Sequence, residues 1–184
     1  MAAALALTLA AVALAGDVTR RLSKGEVLCY ERKKKGSEIP ELVTKAVIDQ
    51  PPAKVWKLIR DCNRYSNTMP RIKASRLLRR SGNKYVCKTT ADMPFPYSDT
   101  TSVTEAIHTE KDGVYTRRWR LLSGDYKVNS GAWVLKPFNG DARRTLVTYR
   151  IHAAPKAWVP GWIRTAAQKR TLPKMINRLR VILR

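Results

Sequence analysis

Residues 160–184 carry the pattern that most restricts how this chain can fold. At helical spacing, Trp162, Ile163, Ala166 and Ala167 make one apolar stripe, and Leu172, Met175, Ile176, Leu179, Ile182 and Leu183 make a second. Arg164, Lys169, Arg170, Lys174, Arg178, Arg180 and Arg184 fall mostly on the other side. Such a helix must bury one face. Nearly everything before it reads as strand, so its expected partner is a curved sheet. Pro173 lacks an amide donor and crowds the preceding turn, which predicts a kink or break near Leu172.

A first strand is expected over 25–35, ending at Gly36-Ser37, and a second over 41–49, where Leu42, Thr44, Ala46 and Ile48 alternate with Val43, Lys45, Val47 and Asp49. Then the period changes. Pro51-Pro52 opens a helix, where the missing proline amides cost nothing, with Asp49 as cap and Val55, Trp56 and Ile59 as buried stripe. Residues 61–70 read as a short helical or looping connector anchored by Tyr65 and Met69. Hairpins follow: 72–80 returns as 84–91 through Ser81-Gly82-Asn83, 99–109 as 114–122 through Glu110-Lys111-Asp112-Gly113, and 126–137 as 144–152 through Asn139-Gly140-Asp141. Pro94-Phe95-Pro96 marks a bend or a sheet edge. The expected architecture is α+β: a mostly antiparallel sheet of about seven strands, with one or two short helices after the first long strand, curling around the terminal helix.

A chain of 184 residues suits one domain that buries about 70% of its surface. Its charge is lopsided: 36 Lys and Arg against 14 Asp and Glu give a net +22, and no acid follows Asp141. A one-sign surface of this kind attracts polyanions, either a phospholipid face or nucleic acid, and is silent on fold. Residues 1–15 are apolar, too short to span a bilayer, and end in the small-x-small triplet Ala13-Leu14-Ala15. They are expected to be a signal peptide, without a basic n-region, followed by a linker over 16–24 and one domain over 25–184. Secretion or a periplasmic location follows from that reading. Cys29, Cys62 and Cys87 show no metal-ligand spacing, and sequence alone does not choose between one disulfide and three buried thiols.

Alternation in the later strands sets Trp119 with Leu121, Trp133 with Leu135, and Val147 with Tyr149 on one face, against Arg118, Arg120, Arg150 and His152 on the other. Large rings with polar edges are frequent in cavity walls, where a plain core more often alternates Leu, Ile and Val. For catalysis only His108 and His152 offer a ready base, and neither clearly points inward by alternation. No Ser-His-Asp order, metal cluster or phosphate loop is visible, so no catalytic residue, metal or cofactor is assigned.

Two groups of residues together resemble a known family. Ile48-Asp49-Gln50-Pro51-Pro52-Ala53-Lys54-Val55-Trp56, then Asp61 and Met69-Pro70, look like the opening of START-like, or SRPBCC, domains of the polyketide cyclase and coenzyme Q-binding branch. Gly131-Ala132-Trp133-Val134-Leu135-Lys136-Pro137, then Thr145-Leu146-Val147-Thr148-Tyr149, then Pro155 and Val159-Pro160, look like its closing half. The resemblance implies a helix-grip fold with a cavity between sheet and terminal helix, used by members to bind lipids, sterols, quinones or polyketides. Carried onto this chain, it implies a wall of Trp119, Trp133, Leu135, Val147 and Tyr149, closed by Ile163, Met175 and Leu179. The expected function is that of a carrier or sensor of a hydrophobic small molecule at anionic membranes, with Lys156, Trp158, Trp162 and Arg164 touching headgroups. The alternatives are a cyclase-type enzyme in the same cavity and a basic nucleic-acid-binding protein, for which no reading motif is present. A monomer is expected.

Overall fold

The computed structural model describes residues 16–93 and 95–184, with the backbone alone for 161–169. Its strands are β1 (Leu28–Lys34), β2 (Ser37–Ile48), β3 (Ile72–Ser81), β4 (Lys84–Ala91), β5 (Thr100–Lys111), β6 (Val114–Gly124), β7 (Tyr126–Phe138) and β8 (Asp141–Pro155). The helices are α1 (16–23), α2 (Pro52–Arg60), α3 (Tyr65–Thr68) and α4 (Gly161–Leu183). The sheet has eight strands where about seven were expected, and each falls on a segment read as strand, β1 within the 25–35 run.

All eight strands join one antiparallel sheet in the order β1-β2-β8-β7-β6-β5-β4-β3, so β1 and β3 are its outer strands. From β3 to β8 each hairpin simply adds the next neighbour. The long α2–α3 excursion carries the chain from β2 across to β3 at the far edge.

Side chains of one parity face inward onto α4, and those of the other face outward. In β2, Ala46 and Ile48 belong to the main core, while Val47 joins Leu22 and Phe138 in a small cluster on the other side. Residues 16–23, expected to be a linker, are therefore helical, and Leu22 is 3% exposed beneath them. Residues 1–15, including the expected signal peptide, lie outside the described residues.

Pro51-Pro52 opens α2 as expected, and Val55, Trp56 and Ile59 are buried with Leu58. Asp49 does not cap it: no side chain caps α2, and Asp49 pairs with Arg144 at 2.8 Å. Trp56 Nε1 donates to Glu110 Oε1 at 2.7 Å, tying α2 to the end of β5. Cys62, just after α2, is disulfide-bonded to Cys87 of β4, which leaves Cys29 as the free thiol.

α4 runs through Pro173 without a break. Leu172, Met175, Ile176, Leu179 and Leu183 are buried as the second stripe predicts, but Ile182 is 37% exposed at the stripe's margin. The first stripe falls on side chains outside the described residues. The C-terminal half of α4 is pinned by polar contacts as well as by packing. Arg180 donates from Nε and Nη2 to the Val47 carbonyl at 3.1 and 2.7 Å, and Lys54 Nζ donates to the Leu183 carbonyl at 3.0 Å. Among the described residues no helix is long and apolar enough to cross a membrane.

Candidate functional site

Between the concave face of the sheet, α3 and the middle of α4 lies a cavity of about 300 Å³. This is at the lower end of the range for small-molecule pockets. Its aromatic wall comes from three adjacent strands. Trp133 and Tyr149 are register partners across β7 and β8 with ring centroids 4.4 Å apart, and Trp119 of β6 stacks on Tyr149 at 5.8 Å. Leu172 and Met175 of α4, with Pro155 and Val159 before it, form the roof. Exposed Arg71 also lines the cavity and pairs with Asp92 at 3.1 Å.

The Trp119 ring fits because its register partner is Gly131. A Cβ at Gly131 would lie 2.4 Å from the Trp119 ring and 2.2 Å from the Arg150 carbonyl oxygen, both far inside contact distance. The indole thus lies over the gap a side chain would otherwise fill. Its Nε1 donates to Asn129 Oδ1 at 3.0 Å, Asn129 Nδ2 donates to Ser102 Oγ at 3.3 Å, and Ser102 shares a hydrogen bond with Thr89 at 3.1 Å. One side of the cavity therefore carries a polar ladder whose members mostly satisfy one another.

The one buried charged group of the lining, among the described residues, is Arg117. Two residues before Trp119 on β6, it faces the same way and is 4% exposed. Nε donates to the Tyr65 hydroxyl at 2.9 Å, and that hydroxyl donates to the Ile59 carbonyl at 2.5 Å. Burial pushes the Tyr65 and Tyr149 phenols up, so both remain protonated at neutral pH.

Of the expected wall residues, Trp119, Trp133, Tyr149 and Met175 line the cavity. Leu135, Val147 and Leu179 do not: each is 0% exposed within the solid core beside it. The Leu135–Val147 pair is the next inward-facing rung beyond Trp133–Tyr149. There α2 packs across β6, β7 and β8, and Val55, Trp56 and Ile59 fill the space. Ile163, like the expected membrane contacts Trp162 and Arg164, lies outside the described side chains, whereas Lys156 and Trp158 are exposed just before α4.

Arg117 escapes a sequence reading although the alternation that turns Trp119 inward turns it inward too. In a chain of 36 cations, one more arginine on a strand looks like surface.

Neither histidine lines the cavity. His152 faces outward and contacts Ser37 Oγ at 3.0 Å. His108 does face inward, stacked on Tyr85 at 4.0 Å and edge-on to Trp56 at 5.0 Å, away from the cavity. Burial chiefly, then the charge of Arg117, lowers its pKa from 6.5 to about 3. Among the described residues no group of three or more His, Cys, Asp or Glu is placed to hold a metal ion.

Comparison with known proteins gives a consistent grouping. Residues 48–180 match the family model described as polyketide cyclase / dehydrase and lipid transport. A search of curated proteins returns no match. Among solved structures, a STAR-related lipid transfer protein from Xanthomonas axonopodis is similar at 26% identity and a TM-score of 0.71, over 85% of this chain and 93% of that one. Human StAR-related lipid transfer protein 5 superposes with a TM-score of 0.73 at 12% identity, over 100% and 98% of the two chains. An aromatase/cyclase from Streptomyces gives 0.64 at 16% identity, over 78% and 92%. The two human and Streptomyces likenesses speak to the fold alone.

Proposed function

The chain belongs to the polyketide cyclase / dehydrase and lipid transport family, and from that premise we propose that it holds a hydrophobic small molecule in the cavity under α4 and exchanges it with anionic membranes, as a lipid carrier or sensor. The observation that carries the reading is the cavity itself. About 300 Å³ of space remains between three contiguous aromatic rings and the roof of α4, where a structural core would be filled. An apolar lining with a few placed polar groups suits a guest with an oily body and one polar end.

Two exposed aromatics flank the same cavity and support the membrane half of the proposal. Trp158 is 81% exposed and adjoins Val159 of the roof, and Phe95 is 96% exposed two residues after Met93 of the lining. Trp158 stands beside Lys156, on a chain of net charge +22. Each Lys or Arg near an anionic surface contributes on the order of 1 kcal/mol, and interfacial aromatics add an apolar anchor. The proposed compartment is extracellular or periplasmic, a reading that the Cys62–Cys87 disulfide and the apolar residues 1–15 both support.

Native mass spectrometry of protein purified without detergent, with solvent extraction of whatever travels with it, tests the first half. A discrete hydrophobic adduct is expected, and repeated recovery of empty protein that also takes up no added lipid refutes the reading. For the second half, binding to vesicles containing phosphatidylserine should weaken steeply as salt rises. Trp158→Ser should lower it about tenfold, the effect of losing roughly 1.4 kcal/mol of partial ring burial. Salt-independent binding, or binding indifferent to Trp158→Ser, counts against membrane exchange.

A further inference from the structure

Arg117 is a buried cation without a counter-charge. Among the described residues no carboxylate forms an ion pair with it. Taking a guanidinium out of water without an anion is costly, and natural cores rarely accept it. The surroundings relieve the cost only in part. Nε is used by the Tyr65 hydroxyl, Nη2 has only the Cys87 sulfur at 3.8 Å, a weak acceptor, and Nη1 has no partner. A guanidinium offers five N–H donors in a planar fork, and here the forked end has no strong acceptor although the side chain lines the cavity.

The fork is also held in place. Tyr65 receives the Nε proton while giving its own to Ile59, and its ring lies under the guanidinium at 5.7 Å. The disulfide between Cys62 and Cys87 sits on the Nη2 side. The side chain lines the cavity, beside Trp119 on its own strand and opposite Trp133 on β7.

Resting on the reading of the cavity as a ligand site, we infer that its guest carries an oxyanion, a carboxylate or a phosphate monoester, which docks on the Nη1–Nη2 edge of Arg117. The apolar remainder lies along Trp119, Trp133, Tyr149 and Met175. Bidentate pairing with an oxyanion gives the unpartnered Nη1 and the weakly satisfied Nη2 strong acceptors at once and supplies the missing counter-charge. A cavity of about 300 Å³, at the lower end for small-molecule sites, suits a compact buried part such as a medium-length chain or a pair of fused rings.

Four amphiphiles with the same ten-carbon tail test this: decanoate, decyl phosphate, decanol and decylamine, titrated calorimetrically at neutral pH into the full chain. Decanoate or decyl phosphate should bind at least tenfold tighter than decanol, and whichever of the two binds tighter identifies the oxyanion. Arg117→Met should erase the preference while leaving decanol binding within about threefold, and Arg117→Lys should keep part of it. Should Arg117→Met not fold, as judged by circular dichroism, the wild-type ranking together with Arg117→Lys decides. Decanol or decylamine binding as tightly as the anions overturns the inference and leaves the hydrophobic cavity standing. If none of the four binds, both the inference and the ligand-site reading fail.

Discussion

His108 makes the folded state sensitive to mild acid, and the size of the effect follows from its surroundings. The ring is 6% exposed, pressed between Tyr85 and Trp56, with no hydrogen-bond partner on either nitrogen. Its pKa falls from 6.5 to about 3, first through burial and then through the charges of Arg117, Arg60 and Arg80. The unfolded chain takes up the proton as pH drops below 6.5, and the folded chain refuses it until about 3. Stability from the neutral ring is therefore fully present above pH 6.5 and is lost progressively as pH falls toward 3. At pH 5 the loss is RT ln(1 + 10^1.5), or about 2 kcal/mol, and this figure needs only a folded pKa well under 5. His108→Phe keeps a ring in the stack and removes the titration. Urea unfolding of both proteins at pH 8 and pH 5 should show the stability difference shifting by about 2 kcal/mol in the variant's favour as pH falls. His152 and the carboxylates titrate in both proteins and cancel. A shift under about 0.5 kcal/mol would mean that folded His108 takes up its proton as readily as the unfolded chain, and the argument from burial would be refuted.

Two further outcomes follow from the same geometry. Replacing Cys62 and Cys87 together by Ala opens a loop with a sequence separation of 25, and the chain-entropy relation gives about 3.5 kcal/mol of lost stability; a loss below about 1 kcal/mol by urea titration would count against the cross-link. Gly131→Ala places a Cβ 2.2 Å from the Arg150 carbonyl and 2.4 Å from the Trp119 ring, so backbone or indole must move. A loss of about 2–3 kcal/mol, accompanied by a change in tryptophan fluorescence, is expected, and unchanged fluorescence would show that Trp119 does not lie over Gly131.

Strand segments, turns and the terminal helix were legible in the sequence because each rests on local periodicity or on residues with restricted backbones. The hairpins at Ser81-Gly82, Asp112-Gly113 and Asn139-Gly140 lie where their turn chemistry puts them. The cavity was only half legible. Alternation names the face on which Trp133, Leu135, Val147 and Tyr149 lie, yet says nothing of how far along that face α2 fills the space. So Leu135 and Val147 became core, while Trp133 and Tyr149 became wall. Asp49 showed a similar limit: its cap was a local expectation, and Arg144, distant in sequence, took the carboxylate instead. Arg117 was visible by parity but hidden by abundance, since composition made cations unremarkable and only burial distinguishes this one.

The two outer strands bear on how such a sheet avoids growing. β1 presents Lys33 and Lys34 to solvent beside one exposed acid, Glu31, and β3 presents Arg76, Arg79 and Arg80. A second copy adding itself rim to rim would bring like charges to about 5 Å, the spacing of paired strands, and each such encounter opposes docking by about 0.8 kcal/mol even in bulk water. Fringes of this kind act as gatekeepers against ribbon-like aggregation. Part of the chain's large positive charge thus serves as insulation for exposed backbone, whatever anions the remainder attracts.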